Sequence, residues 1–340
     1  MVNIFLPSSK SRRKLAFIAR HLNLAMSRSL RKNFSQPTQG GTAQLREFLI
    51  KSYFPSWYIG VDLAGFSETD EGRKELDDHL FRRLEMDRYG FIPWIDNLVT
   101  FAGSSVIEIG CGSGSAMVAM AEQGAEVIAL DVHREALEAS RLRARVHGVT
   151  NVSFIEGNAQ NLKELVPDHK FDLIIFFAVL EHMTFAERKN SLRAAWEILP
   201  RGKHICITDT PNRLWFFDGH TSGLPFFNWL PDEVAFEYSQ LSSRYPFNSR
   251  FHKIDSEAML SFVRDGRGIS FHDIDLALGT DCGYRIVSDL TSFISMRNPV
   301  MMLKRLLAGD GGRERLLNSY APGLHRGFFR QQLNLVIQKL

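Results

Sequence analysis

Glu108-Ile109-Gly110-Cys111-Gly112-Ser113-Gly114-Ser115-Ala116 is the stretch of this chain whose residue types imply chemistry most directly. It follows apolar Val106-Ile107 and precedes Met117, Val118, Met120 and Ala121 at helical spacing. A strand therefore ends in a glycine turn whose amides face out at a helix N-terminus. Glycine suits that turn because φ is positive there and a ligand approaches the backbone closely. Asp131, 21 residues after Gly110, closes the apolar run Val127-Ile128-Ala129-Leu130. A carboxylate at that strand end can accept both hydroxyls of a ribose. Two histidines could act as general bases, since imidazole titrates near neutrality. His182 follows a fourth apolar run, and His220 lies in Asp218-Gly219-His220-Thr221, where Asp218 could orient the imidazole. Each has a plainer reading: His182 as a ring that packs or caps the next helix, His220 as a hydrogen-bonded turn. His204, inside a strand, reads as structural, and Arg213 either binds an anionic group or is an ordinary surface arginine.

The elements that must position these residues alternate between strand and helix. Val152–Glu156 reads as a third strand, Phe171–Phe177 as a fourth and His204–Asp209 as a fifth, with a helix over Ala186–Leu199. Residues 74–101 read as two helices, with Tyr89-Gly90-Phe91-Ile92-Pro93 between them or opening the second. Helices are expected over Asp232–Leu241 and about 255–265, a sixth strand at Ile269–Leu276 and a last strand at Leu333–Ile337. Val300–Leu307 reads as a basic apolar helix.

The run from Glu108 to Gly114 resembles the E-x-G-x-G-x-G loop of class I S-adenosylmethionine (SAM) dependent methyltransferases. The likeness extends in order through Asp131, Asn158 and Ala178-Val179-Leu180-Glu181-His182-Met183, and is similar to the small-molecule, ubiquinone-biosynthesis type. A dinucleotide loop would instead need its third glycine at position 115, where Ser115 stands. The resemblance implies SAM as cofactor, with Glu108 on the methionyl ammonium and Asp131 on the ribose. It implies further contacts at Gly110, Cys111, Gly112, Gly114, Val132, Asn158, Ala159, Ala178 and Val179. Asn158 stands where such enzymes often carry Asp against the adenine amino group. Tyr89 is a weak cofactor candidate and more readily a structural aromatic. The implied fold is α/β: a doubly wound, seven-stranded, mostly parallel Rossmann-like sheet with the last strand antiparallel. An N-terminal helical cap and a lid inserted after strand five complete it.

The corresponding division is a basic head at 1–36, a helical cap at 37–103, a SAM-binding core at 104–209, a substrate lid with the sixth strand at 210–330, and the last strand at 331–340. The chain has 340 residues, 44% hydrophobic and 23% charged, as in soluble globular proteins. No run approaches the ~18 apolar residues that span a bilayer, and the N-terminus lacks the features of a secretory signal. Cys111, Cys206 and Cys282 have neither metal nor disulfide spacing, so no metal is expected and a reducing cytoplasm fits. The net charge of +3 hides an asymmetry. Residues 1–46 hold nine Lys/Arg and no acid, leaving the remaining 294 residues at −6. That mildly acidic body argues against a nucleic-acid groove in the core. Residues 11–32 read as a basic amphipathic helix, so 10–32 is a candidate contact with an anionic membrane surface. A transit peptide, a helix packed on the core and a frayed tail are its other readings.

Residues 214–229 are dense in aromatics, which either seal the lid onto the sheet or line a pocket for a prenyl, acyl, aromatic or sugar group. The function implied is methyl transfer to a small-molecule acceptor, a hydroxyl first, lipid-linked or sugar-containing. A nucleic-acid methyltransferase and a non-catalytic SAM-binding subunit are the alternatives from other classes. Against the former, no N/D-P-P-Y-type tetrad follows the fourth strand.

Overall fold

Runs of β-branched and aromatic residues form seven strands: β1 Ser105–Ile109, β2 Glu126–Asp131, β3 Val152–Glu156, β4 Leu173–Phe177, β5 His204–Pro211, β6 Tyr284–Asp289 and β7 Gln332–Lys339. The computed structural model describes residues 30–31, 34–57, 63–245, 247–279, 283–297 and 310–340. The strands make one sheet in the order β3-β2-β1-β4-β5-β7-β6. β1 to β5 are mutually parallel, and β7 runs antiparallel between β5 and β6. Central strands are nearly all apolar because both faces are covered. Val106 packs into the layer that holds Trp94 and Met117, while Ile107 and Ile109 pack with Leu192 and Trp196 on the other side. Strand order reverses between β1 and β4, which opens a crevice at their carboxyl ends. Glu108, paired with Ala129 and Ile175, leads β1 into that crevice.

Among the described residues, the N-terminal cap is built mainly of helical segments. Gly41–Phe48 (α1) continues through a wide π-turn, Leu49–Tyr53. Thr69 accepts from Gly72 N and starts α2, Asp70–Asp77, followed by a second π-turn, Asp78–Arg82. Arg83–Met86 (α3), a third π-turn at Asp87–Phe91 and Ile92–Ile95 (α4) complete the run. The break expected near Gly90-Pro93 is thus replaced by one helical run from Asp70 to Ile95. The extra residue of the third π-turn, Asp87–Phe91, shifts the hydrogen-bond pattern just ahead of Pro93 and absorbs the irregularity.

Ser115–Glu122 (α5) follows the glycine turn, Arg134–His147 (α6) follows β2, and Phe185–Ile198 (α7) starts on a Thr184/Glu187 capping box. Beyond β5 the lid contains Asp232–Tyr238 (α8), Ser256–Arg264 (α9) and Phe271–Leu278 (α10). The strand expected at Ile269–Leu276 is therefore α10. A Ser270/Asp273 capping box starts it, and Ile274, Ala277 and Leu278 bury one helical face. The sixth strand lies later, at Tyr284–Asp289. The helix expected over 11–32 and that over 300–307 fall outside the described residues, apart from Leu30 and Arg31.

The lid has a core of its own: Phe227, Phe236, Phe247, Phe251 and Phe262. Buried Arg267 stands 5.0 and 5.7 Å from the Phe227 and Phe262 ring centres. Its guanidinium donates to Phe227 O at 3.1 Å, Leu230 O at 2.7 Å and Asp232 Oδ1 at 3.0 Å. Arg267→Ala should lower stability by about 2–4 kcal/mol, because it orphans these acceptors and empties the aromatic slot. Arg267→Lys should not restore it, since a single ammonium nitrogen cannot reach acceptors spread over Nε, Nη1 and Nη2 or stack as a planar group between the rings. Urea midpoints test this, and a lysine variant as stable as wild type would contradict it.

Candidate active site

The glycine turn is held from within. Gly110 N and Cys111 N both donate to Leu130 O, Gly112 N donates to Asp131 Oδ2 at 3.0 Å, and Gly114 N donates to Cys111 O. The expectation that the turn's amides face out fails for these four, because the end of β2 takes three of them. A cradle of amides for phosphate is correspondingly depleted, which favours a ligand recognised by acceptors. Gly110 has φ 75°, and a Cβ there would lie 2.5 Å from Val179 Cγ2. Gly112 has φ 51°, and its Cβ would meet the Tyr53 hydroxyl at 3.3 Å. Both need glycine, one for close packing and one to leave room beneath the cap. Gly114 is the left-handed N-cap of α5, and buried Cys111 accepts a long contact from Ser140 Oγ.

Around this turn lie buried carboxylates. Glu108, Asp131, Glu181 and Asp87 are 3, 5, 0 and 3% exposed. Glu108 Oε2, Asp87 Oδ2 and both Glu181 oxygens have no hydrogen-bond partner. Burial pushes the Glu108 carboxyl well above the usual range, and the charges of Asp87 and Asp131 add to it. Burial likewise pushes Asp87 up to about 7, against a bond from Ser115 and helped by Asp209. Asp131 is raised by burial despite bonds from His133 N and Gly112 N. Asp209, raised by burial as well, sits at φ 53° near the end of β5, and Ala178 sits at φ 46° just past β4. Non-glycine residues rarely adopt this conformation, and it clusters at sites where the chain must turn sharply toward a ligand.

Past β4 the short turn Leu180–His182 brings three groups together. His220 Nε2 lies 3.6 Å and His182 Nε2 4.0 Å from Glu181 Oε1. The two rings are 5.6 Å apart between centres. His182 Nδ1 is 2.7 Å from Arg264 O, a carbonyl that can only accept, so Nδ1 carries the proton. Thr221 Oγ1 donates to Gly266 O and receives His220 Nδ1 at 3.0 Å. Both imidazoles thus turn an Nε2 lone pair toward Glu181. Burial and neighbouring His220 hold His182 down to about 4, and burial lowers His220 too. Burial pushes Glu181 up to about 8, with Asp209 adding to it. One ligand atom from each of Glu181, His182 and His220 lies within 4.8 Å of the others, close enough to hold a metal ion. The chain separates Glu181-His182 from His220 by 38 residues, so linear spacing did not reveal this cluster.

The expectation that Asp218 orients the His220 imidazole is corrected. Asp218 Oδ1 accepts from the backbone of His220 and Thr221, and Oδ2 from Ser222 N and Oγ, so the carboxylate shapes the turn instead. Asn158 Oδ1 accepts from Gln160 N and caps a short helix, which engages the oxygen expected to face adenine. Ala159 is buried, and Val132 is half-exposed beside Asp131. Tyr89 packs edge-on against Phe34. Arg213 donates to Asn228 O within the lid, and His204 is buried in β5. The aromatics split between their two readings. Phe227 is fully buried in the lid, whereas Phe216, Phe226 and Trp229 are 43, 48 and 55% exposed in a chain of neighbouring rings. Sequence reasoning missed Glu181, Asp87, Tyr53 and His79 as site residues. Only the adjacency of Glu181 to His182 signalled one of them.

Residues 100–243 match the family model described as a methyltransferase domain. Ubiquinone biosynthesis O-methyltransferases from Pseudomonas fluorescens and Paracidovorax citrulli are each 32% identical, over 122 and 123 residues. Those matches cover 36% of this chain and 50 and 51% of the relatives, so the chain spans about half the length of the curated relatives it matches. Magnesium protoporphyrin IX methyltransferase from Synechocystis, solved with bound S-adenosylhomocysteine, is 16% identical. It aligns over 73% of this chain and 91% of its own, with a TM-score of 0.44.

Glu181 sets a testable pH dependence. Its carboxyl titrates at about 8 in the folded protein against an ordinary 4.5, so the folded state binds the extra proton between these values. Stability contributed by this group therefore falls as pH rises from about 4.5 to about 8. Glu181→Gln should gain on wild type in urea midpoints measured at pH 8.5 relative to pH 5.5. An offset independent of pH would contradict the assignment.

Proposed function

Because residues 100–243 match a methyltransferase domain, we propose that this protein is a class I SAM-dependent enzyme that transfers the methyl group of SAM to a hydroxyl of a small-molecule acceptor. The observation that carries this reading is the convergence of Glu181, His182 and His220 beside the glycine turn. Val179, two residues before Glu181, packs on Gly110. When bound, the cofactor would supply an electrophilic methyl on a sulfonium, transferable to an acceptor oxygen with a thioether as the leaving group.

This chain's residues fit such a ligand. Glu108 offers a buried, partnerless oxygen for the ammonium of the methionyl end. Asp131, fixed by Gly112 N and His133 N, keeps further lone pairs for the ribose hydroxyls. The strand ends and the lid hold the acceptor in line, which supplies much of the rate. The acceptor's proton passes to an imidazole Nε2, and the Glu181 carboxylate stabilises the imidazolium that forms. A polar cavity lined by Asn212, Asp218, His220, Asn228 and Gln331 adjoins the exposed rings of the lid. The exposed rings suit an apolar portion of the acceptor, as in a lipid-linked molecule, whereas the cavity itself, at about 40 Å³, takes no more than a water-sized group.

His182→Ala should lower turnover by about 10²–10⁴ at saturating SAM while leaving SAM affinity nearly unchanged. Activity should rise with pH through the Glu181 ionisation at about 8, and Glu181→Gln should remove that limb. No limb is expected near 6.5, because His182 is held down to about 4. Tritiated SAM assayed against a panel of prenyl phenol, aryl and sugar hydroxyls reads all of this. A His182 variant that loses SAM affinity yet keeps its turnover would make the ring a cofactor-packing group.

A second reading rests on the same three groups. Two imidazole nitrogens and a carboxylate form a donor set for a divalent cation, which would polarise the acceptor oxygen. Dialysis against EDTA separates the readings. Activity lost and restored by zinc, manganese or magnesium supports the cation, and activity unaffected by the chelator supports the proton-accepting cluster.

A further inference from the structure

Each π-turn of the cap sets one polar side chain over the glycine turn. Tyr53 comes from the first and stands above Gly112. His79 comes from the second, with Nδ1 2.9 Å from Ser113 Oγ. Asp87 comes from the third, where the Ser115 hydroxyl, on the first residue of α5, favours its ionised form. A π-turn inserts one residue into the helix, so it rotates the downstream turns and re-aims side chains that regular α-helix would carry elsewhere. Arg143 fixes this arrangement from α6. Fully buried, it donates to Ser113 O on the turn and to His79 O and Leu80 O on the cap.

Tyr53 and His79 end on partners within the protein, whereas Asp87 does not finish. Its Oδ2 is buried without a partner, and the acidic groups in its field are Glu108 and Asp209. Arg83 and Arg143 also act on it, but none of the ion pairs among the described residues includes Asp87. Two carboxylates from separate layers, Glu108 from the sheet and Asp87 from the cap, therefore interact inside the protein with an unused acceptor oxygen on each. Such a pair calls for a small cation with several hydrogen-bond donors.

Building on the proposed SAM dependence, we propose that Asp87 is a second carboxylate for the ammonium at the amino-acid end of the cofactor, held between Asp87 and Glu108. The cap is then part of the cofactor site and not only its cover. Recognition of the amino-acid end is divided between an element of the sheet and one that precedes it in the chain.

Ligands with and without that ammonium test this on the full chain. SAM and S-adenosylhomocysteine carry it, and 5′-methylthioadenosine lacks it. Calorimetry at pH 7.5 should find that Asp87→Asn weakens the first two by about 10–100-fold, the scale of a charge-assisted hydrogen bond. The third should change by less than about threefold, because a group that never meets the ligand contributes nothing to differential binding. Asp131→Ala should weaken all three, since each has a ribose. Asp87→Ala, with melting temperatures recorded beside it, should repeat the ammonium-selective pattern if the asparagine variant is unstable. Equal loss on all three ligands would make Asp87 a structural residue of the cap and overturn the proposal, as would no loss on any. Wild-type protein that binds methylthioadenosine but gains nothing from the ammonium overturns it while leaving nucleoside binding intact. Wild-type protein that binds none of the three overturns the SAM reading itself.

Discussion

Buried carboxylates without a neutralising cation are the constraint on which the rest of this structure depends. Glu108 lies one residue before the end of β1, Asp131 ends β2, Glu181 lies just past β4, Asp209 lies near the end of β5, and Asp87 comes down from the cap. Among the described residues, Arg188 pairs with Asp273 and Arg267 with Asp232, but no Lys or Arg pairs with any of these five. An ionised carboxylate in such surroundings is strongly disfavoured, so the group either keeps its proton or meets a cation. Glu181 at about 8 and Asp87 at about 7 express that choice near physiological pH. So many carboxylates at the end of one sheet match the cationic ligand that the proposed SAM dependence calls for.

The surrounding architecture maintains this arrangement. The glycine turn spends its amides on Leu130, Asp131 and Cys111, and so faces the crevice with acceptors rather than donors. Arg143 and the three π-turns lock the cap over it. On the far side the lid, organised by Arg267 among phenylalanines, brings His220 to the pair Glu181-His182. Arg264 O and Thr221 fix the two histidine tautomers, with both Nε2 atoms turned toward Glu181. The cap thus supplies Asp87 beside the glycine turn and the lid supplies His220 beside Glu181, two different appendages of the same sheet.

Much of this was legible in the chain because the central strands are buried on both faces and their apolar runs have one reading. The glycine turn between β1 and α5 was legible for a similar reason, since few residues tolerate its positive φ angles and close contacts. The lid and cap were harder. Ile269 to Leu276 has enough alternation to read as a strand, yet the Ser270/Asp273 capping box and the buried face of Ile274, Ala277 and Leu278 make it helical. π-turns break the 3.6-residue period, so nothing in the pattern around Tyr53, His79 or Asp87 announces that they share a target. Asp218 sits beside His220 in sequence but its oxygens are taken by backbone amides, whereas Glu181 reaches His220 across 39 positions of chain. Proximity in sequence identified the residue types of the site but not their partners.

If the buried carboxylates are the reason for this architecture, a cation entering the crevice must lower their affinity for protons. Net proton exchange on SAM binding is therefore the most direct measurement. Titrating SAM into the protein by calorimetry at pH 7.0, in buffers of differing ionisation enthalpy, reads it from the slope of the observed heat. The account predicts net release of protons, diminished in Asp87→Asn and Glu181→Gln. Binding with no proton exchange, or with net uptake, would contradict it.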